Sequence, residues 1–230
     1  MPRRARPLIL GLTGSIGMGK SATAAIFRQL GLPVQDADAE VHRLLREDKA
    51  AIRAIADAFP GTVEDGRVLR SKLGAAVFNN PPALRRLEAI LHPRVSAARS
   101  LFLKRNARHW LVVLDIPLLF ETGIDKQCDR VMVVTAPTQV QAARVLRRPG
   151  MTPARLQAIR VQQWPDLAKR RQADYIIPTG LGRAVTRREV MQVLRALRRA
   201  PPPVGPLLRS PPAGRRAYAR NLSRYRNHRL

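Results

Sequence analysis

The 230-residue chain has one cysteine, Cys128, which excludes an intramolecular disulfide framework and any multi-cysteine metal site. Aromatic residues are only 4% of the sequence, so there is little with which to stack unpaired bases. Acids are scarce as well: 16 Asp and Glu stand against 42 Lys and Arg, a net charge of +26. No apolar run reaches the roughly 18 residues of a membrane span. The apolar stretch after Arg3, Arg4 and Arg6 is too short for a signal peptide and runs straight into a Gly-rich motif, so a soluble, cytoplasmic protein is expected. What the chain does have is 45% hydrophobic residues, enough for a packed core, which excludes wholesale disorder.

The positive excess is uneven. From Pro201 the composition shifts to Pro, Arg, Gly and Ser, and residues 201–230 carry seven arginines and no acid. This reads as a basic, disordered tail following a domain of residues 1–200. A surplus of arginine suits polyphosphate small molecules and nucleic acid alike, and heavy arginine usage without any function would look the same. Charge therefore does not choose the partner.

Short apolar runs alternate with helical periodicity. Residues 8–12, 34–36, 111–116, 131–134 and 175–177 read as strands. The run Leu111-Val-Val-Leu-Asp115 has the continuous apolar character of a strand covered on both faces. Helical spacing is found over 20–30 (ending at Gly31), 39–45, 50–59, 69–78, 84–91 and 139–147. Asn80-Pro81 and Thr152-Pro153 look like caps with proline at the first helical position. His92-Pro93 is expected to break the helix before it, with a new one over about 93–107. Thr186-Arg-Arg-Glu189 matches a capping box ahead of a final helix. The alternation predicts an α/β fold with a parallel sheet wound by helices on both faces.

Gly14-Ser-Ile-Gly17-Met18-Gly19-Lys20-Ser21 fits the phosphate loop G-x-x-x-x-G-K-[ST], with a strand before it and a helix after it. Glycines let triphosphate oxygens approach the backbone, and successive N–H groups at a helix N-terminus face the anion. Lys20 reaches the β- and γ-phosphates, and the Ser21 hydroxyl can ligate Mg²⁺. An ATP- or GTP-binding P-loop fold follows.

Asp36 and Asp38 stand after the second strand, at the end of the sheet where ligands bind. A carboxylate there can orient and deprotonate an attacking hydroxyl, worth ~10²–10⁴ in rate. For Asp38 the alternative is a helix N-cap, and for Asp36 a structural turn. Asp115 ends the third strand, where an acid helps hold Mg²⁺ through water. Residues 117–121 (Pro-Leu-Leu-Phe-Glu) either line an acceptor pocket or are ordinary core. Arg144, Arg147 and Arg148 precede Pro149-Gly150, as in a hinged lid that clamps phosphate, or they form a solvated basic face. His92 either meets the acceptor or ends a helix. His42, His109 and His228 have no supporting partners, and Cys128 has no pattern of a reactive thiol.

Taken together, LTGSIGMGKS at 12–21, DAD at 36–38, LHPRV at 91–95, DIPLLFETG at 115–123, QAARVLRRPGMT at 141–152 and QQWPDLAKRRQADYIIPTG at 162–180 resemble the dephospho-CoA kinase family. The HP pair, the PLLFE strand end and R-x-x-x-R-x-G-M-T are more specific than the phosphate loop, and the similarity spans roughly residues 8–198. The resemblance implies an ATP- and Mg²⁺-dependent phosphotransferase acting on the ribose 3′-hydroxyl of dephospho-CoA in the last step of coenzyme A synthesis. It implies a P-loop core, acceptor-binding helices at about 39–107 and a lid at about 144–172.

Carried over, ATP binding falls on Gly14, Gly17, Met18, Gly19, Lys20, Ser21 and Ala22, and the base on Asp38. The lid arginines fall on Arg144 and Arg148, and acceptor contacts on Thr13, Asp38, His92, Pro117 and Leu118. ATP and dephospho-CoA are then the partners, with no membrane and no specific nucleic acid. Three positions depart from the pattern. Ala22 replaces a second hydroxyl, Pro149 replaces an acid in the lid, and Pro178 stands where Asp is common, at the adenine end of the ATP site. The competing readings are a P-loop kinase of another hydroxyl acceptor, such as a nucleoside or nucleotide, and a nucleic-acid-associated ATPase. The HP and PLLFE segments count against the first, and the low aromatic content against the second.

Overall fold

The computed structural model describes residues 6–78 and 80–199; the basic tail 201–230 lies outside them. The fold is α/β. Five strands, β1 (Leu8–Thr13), β2 (Val34–Asp36), β5 (Leu111–Asp115), β6 (Arg130–Thr135) and β7 (Tyr175–Pro178), form one sheet in the order β2-β5-β1-β6-β7. The pairings of β1 with β5, β1 with β6 and β6 with β7 are all parallel. Between the strands lie the helices α1 (Lys20–Gln29), α2 (Ala37–Glu47), α3 (Lys49–Ala58), α4 (Arg70–Val77), α5 (Pro81–Arg105), α6 (Thr138–Leu146), α7 (Pro153–Gln162) and α8 (Asp166–Gln172), and α9 (Arg183–Arg199) follows β7. The described residues divide into two units, one of residues 6–34 with 108–199, and one within Gln35–Ala107.

In the first unit β1 is buried at every position. Its side chains alternate across the sheet: Leu8, Leu10 and Leu12 join Leu111, Val113, Met132, Val134 and Ile177 in one core with Ile26 and Phe27 of α1 and Val190, Leu194 and Leu197 of α9. A strand buried at every position, Thr13 included, has no solvated face, as a parallel sheet covered by helices requires. The central position of β1 sets the site, because the loops leaving its carboxyl end and those of β5, β6 and β7 converge there.

The second unit packs α2 to α5 and a two-stranded antiparallel hairpin, β3 (Val63–Glu64) with β4 (Arg67–Val68), around Leu45, Ile55, Phe59, Leu73 and Leu91. The expected break at His92-Pro93 is absent: α5 runs unbroken through Pro93. A proline inside a helix removes one backbone hydrogen bond and crowds the preceding turn. Here the Arg94 guanidinium donates to the Ile90 carbonyl at 2.7 Å in that same turn. Leu91, two residues before Pro93, is buried in the core of the unit and anchors this stretch of the helix.

Two further expectations are corrected. The final helix begins at Arg183, not behind a Thr186 capping box, and the Thr186 hydroxyl, already inside the helix, donates to the Gly182 carbonyl at 2.9 Å. The cap of α2 is Asp36 and not Asp38: Asp36 Oδ1 accepts from the N–H groups of Asp38 and Ala39, each at 3.0 Å. Thr152 and Asn80 do cap their helices, accepting from Arg155 and Ala83.

Candidate active site

Between β1 and α1 the chain turns through residues 14–19. Gly17 and Gly19 have φ of 75° and 89°, which side chains other than glycine rarely adopt. The surroundings are also tight: a Cβ on Gly17 would lie 2.5 Å from Val145 Cγ2, and one on Gly19 2.7 Å from Thr179 Oγ1. Helix α1 then starts with no side-chain cap and no acid in its first turn. Its first N–H groups and its dipole therefore favour an anion. Ser21, in that first turn, is exposed, and Ala22 beside it is exposed as well.

Lys20 Nζ donates to Asp115 Oδ1 at 2.7 Å. The two meet because the parallel register sets Leu12 opposite Asp115, so the loop after β1 passes over the end of β5. Asp115 is 1% exposed. Thr13, fully buried, donates from its hydroxyl to the Pro117 carbonyl at 2.9 Å. Leu119 and Phe120 are buried, while Leu118 stands 39% exposed.

The rest of the loop is held by side chains from later in the sequence. Met18 Sδ accepts from the Ala136 N–H at 3.1 Å. The Ile16 N–H donates to Gln163 Oε1 at 2.9 Å, and the Ile16 carbonyl accepts from Gln141 Nε2 at 2.8 Å. Thr179 donates to the Met18 carbonyl at 2.8 Å. Arg144 donates to the Thr179 carbonyl at 2.7 Å and hydroxyl at 3.0 Å, and reaches the Gly17 carbonyl at 3.5 Å. Arg148, four residues on, is exposed. The two arginines thus stand differently, Arg144 bound to the wall of the phosphate loop and Arg148 open to solvent.

Within the Gln35–Ala107 unit, Asp38 lies in the first turn of α2 and His92 is exposed on α5. The shape of residues 14–21, the Lys20–Asp115 pair and the parallel order of strands describe a P-loop kinase core. The family model for dephospho-CoA kinase matches residues 8–181. The chain belongs to the dephospho-CoA kinase family. It is 52% identical to the dephospho-CoA kinase of Novosphingobium aromaticivorans, over 86% of this chain and 98% of the relative. It is 53% identical to that of Rhodospirillum rubrum, over 82% and 89%. Among solved structures, TT1252 from Thermus thermophilus superposes with a TM-score of 0.76 at 35% identity, covering 83% of this chain and 97% of that one. The dephospho-CoA kinase of Campylobacter jejuni gives 0.58 at 26%, covering 82% and 96%.

For a dephospho-CoA kinase the cation-binding side chains are few. Among the described residues no group of three or more His, Cys, Asp or Glu forms a metal cluster. A hydroxyl at the helix start and one buried acid fit a Mg²⁺ ion that arrives with a nucleotide and keeps most of its ligands as phosphate and water. No described helix is long and apolar enough to cross a membrane. The sequence reading missed Gln141, Gln163, Thr179 and Lys169. Lys169 is fully buried, with Nζ 3.0 Å from the Pro117 carbonyl and 2.9 Å from Glu121 Oε1. Burial pushes its ammonium below the usual lysine range, against the opposing pull of Glu121 and Asp166. All four lie in segments that carry the family resemblance, at 141–152 and 162–180, but their partners stand far away in the sequence, so the sequence alone gives them no role.

Proposed function

We propose that this chain carries out its family's reaction, ATP-dependent phosphorylation of dephospho-CoA to coenzyme A, at the ribose 3′-hydroxyl, with Asp38 as base. The observation that carries the reading is the phosphate loop with Lys20 paired to Asp115, on a chain that matches the family over residues 8–181. Residues 14–22 hold the ATP phosphates. Ser21, and Asp115 through water, are the side chains that would hold Mg²⁺, which would neutralise phosphate charge when bound.

The chain's own groups divide the work. Backbone N–H groups of the loop orient the phosphates, and Lys20 places its charge on the transferring group. Asp38 orients the acceptor hydroxyl and takes its proton as the new P–O bond forms. Pro117 and the exposed Leu118 contact the acceptor, and His92 is an acceptor contact on its own unit; Thr13, fully buried with its hydroxyl bonded to the Pro117 carbonyl, supports that loop rather than touching the acceptor. Arg148 closes over the phosphates as part of a lid, sequestering the reaction from water; of the span expected at about 144–172, residues from Gln163 onward are bonded to the core and form its fixed base, and Arg144 braces the loop beneath it. Incubation with Mg-ATP and dephospho-CoA should yield coenzyme A and ADP in equal amounts. ADP without coenzyme A, or coenzyme A formation that Lys20→Ala leaves intact, would refute the assignment.

A further inference from the structure

The family reading gives Lys169 no role of its own, yet among the described residues no other lysine is one of the largest fully buried side chains. A lysine is almost never buried unless its charge is met. Here it is met from two directions, by the Glu121 carboxylate at 2.9 Å and the Pro117 carbonyl at 3.0 Å. The same Pro117 oxygen accepts from Thr13, the residue before the phosphate loop. One carbonyl thus joins the end of β1, the loop after β5 and helix α8.

The neighbours of Lys169 extend this joint. Glu121 Oε1 also accepts from the Trp164 N–H at 2.8 Å, and the Trp164 ring stacks on Phe120 with centroids 5.7 Å apart. Asp166, at the start of α8, accepts from the Thr135 hydroxyl at 2.8 Å. Gln163 takes the Ile16 N–H of the phosphate loop. Residues 163–169 therefore grip the phosphate loop, the end of β6 and residues 117–121, and Lys169 supplies a charge-to-charge contact between α8 and the 117–121 loop. Leu118 is left projecting from a loop whose other members are pinned.

We propose that Lys169 is a positioning residue: from α8 it fixes residues 117–121 against Thr13, and so sets where the acceptor rests relative to the phosphate loop, without touching either substrate. This rests on the reading of Pro117 and Leu118 as acceptor contacts. Small displacements of an acceptor are costly, because transfer needs the hydroxyl in line with the phosphorus; a misplacement of about 1 Å can cost ~10² in rate.

The test is Lys169→Met, which keeps the length of the side chain and removes the ammonium, together with Glu121→Gln and the double variant. With ATP and dephospho-CoA varied separately, Lys169→Met should lower kcat/KM for the acceptor by at least about tenfold and change KM for ATP by less than about threefold. The double variant should recover part of the loss, because it no longer leaves a carboxylate buried without its cation. Trp164 emission should shift in the single variant as the Phe120 stack rearranges. Parental acceptor kcat/KM in folded Lys169→Met overturns the proposal. So does an equal loss for both substrates that follows the fraction of folded enzyme, since that marks a structural role only. If the parent makes no coenzyme A, the functional reading fails instead. Emission and the double-variant stabilities then decide the Lys169 joint, an unmoved emission with additive stabilities overturning it.

Discussion

Lys20 Nζ and Asp115 Oδ1 are 2.7 Å apart, with Lys20 13% and Asp115 1% exposed at the side chain. The phosphate-loop cation therefore has a structural partner besides the catalytic role proposed for it. Lys20→Ala should lower kcat by orders of magnitude, through loss of charge on the transferring phosphoryl oxygens. It should also lower Tm, because Asp115 keeps its buried charge after losing this cation. Adding Asp115→Asn should restore Tm and leave kcat low. Thermal unfolding and turnover of the three variants check both parts; a restored kcat in the double variant would contradict the role of Lys20.

Arg144 and Arg148 should separate by the quantity they change. Arg144 donates two hydrogen bonds to Thr179 and approaches the Gly17 carbonyl. Hydrogen bonds from a charged donor contribute ~1.5–3 kcal/mol. Arg144→Ala should therefore lower stability and raise KM for ATP. Arg148→Ala should leave Tm unchanged and lower kcat, since Arg148 is exposed and its proposed action comes only on closure. Tm and both kinetic constants for each variant decide this, and a stable Arg144→Ala enzyme with normal KM for ATP would break the distinction.

The strands and the phosphate loop were legible because both have local signatures. Leu111-Val-Val-Leu needs no context to read as a covered strand, and G-x-x-x-x-G-K-S needs only a strand before and a helix after. The misread places depend on distant partners. Pro93 looks like a stop until Arg94 and Leu91 are seen to hold the turn. Helix α8 is seven residues long and buries Lys169 and Gln172, so no apolar stripe announces it. The hairpin β3–β4 has two residues a strand, too few for alternation to register. Gln141, Gln163 and Thr179 hold the phosphate loop from 125, 147 and 161 residues away, a separation at which no spacing rule operates.

Lys169 should leave a mark on the pH dependence of stability. Its folded-state pKa lies below the ordinary 10.5 because burial outweighs Glu121 and Asp166, with Lys20 acting in the same direction as burial. Over the interval between the two values the unfolded chain binds the extra proton. Stability from this group therefore rises with pH toward 10.5 and is lost as pH falls through the folded-state value. Comparing the parent with Lys169→Met cancels the other titrating groups. The Tm difference should move in favour of the parent as pH is raised through the alkaline range. A difference that stays flat with pH would mean the ammonium is not held down by burial.

Asp38→Asn separates catalysis from folding at the other proposed catalytic group. Because Asp36 holds the cap of α2 through Oδ1, the substitution at Asp38 leaves that cap in place. It removes one negative charge from the first turn, an effect of ~0.3–1 kcal/mol through the helix dipole. Tm should fall only slightly. The amide keeps the size of the side chain and part of its hydrogen bonding but has no basicity for the proton of the acceptor hydroxyl. We expect kcat to fall by at least ~10²-fold, with ATP affinity changed by less than about tenfold. Asp36→Asn is the matched control: asparagine caps nearly as well as aspartate, so both Tm and kcat should survive it. If the folded Asp38→Asn enzyme keeps kcat within about threefold of the parent, Asp38 is not the base. The same loss of kcat in Asp36→Asn would move that role to the capping carboxylate.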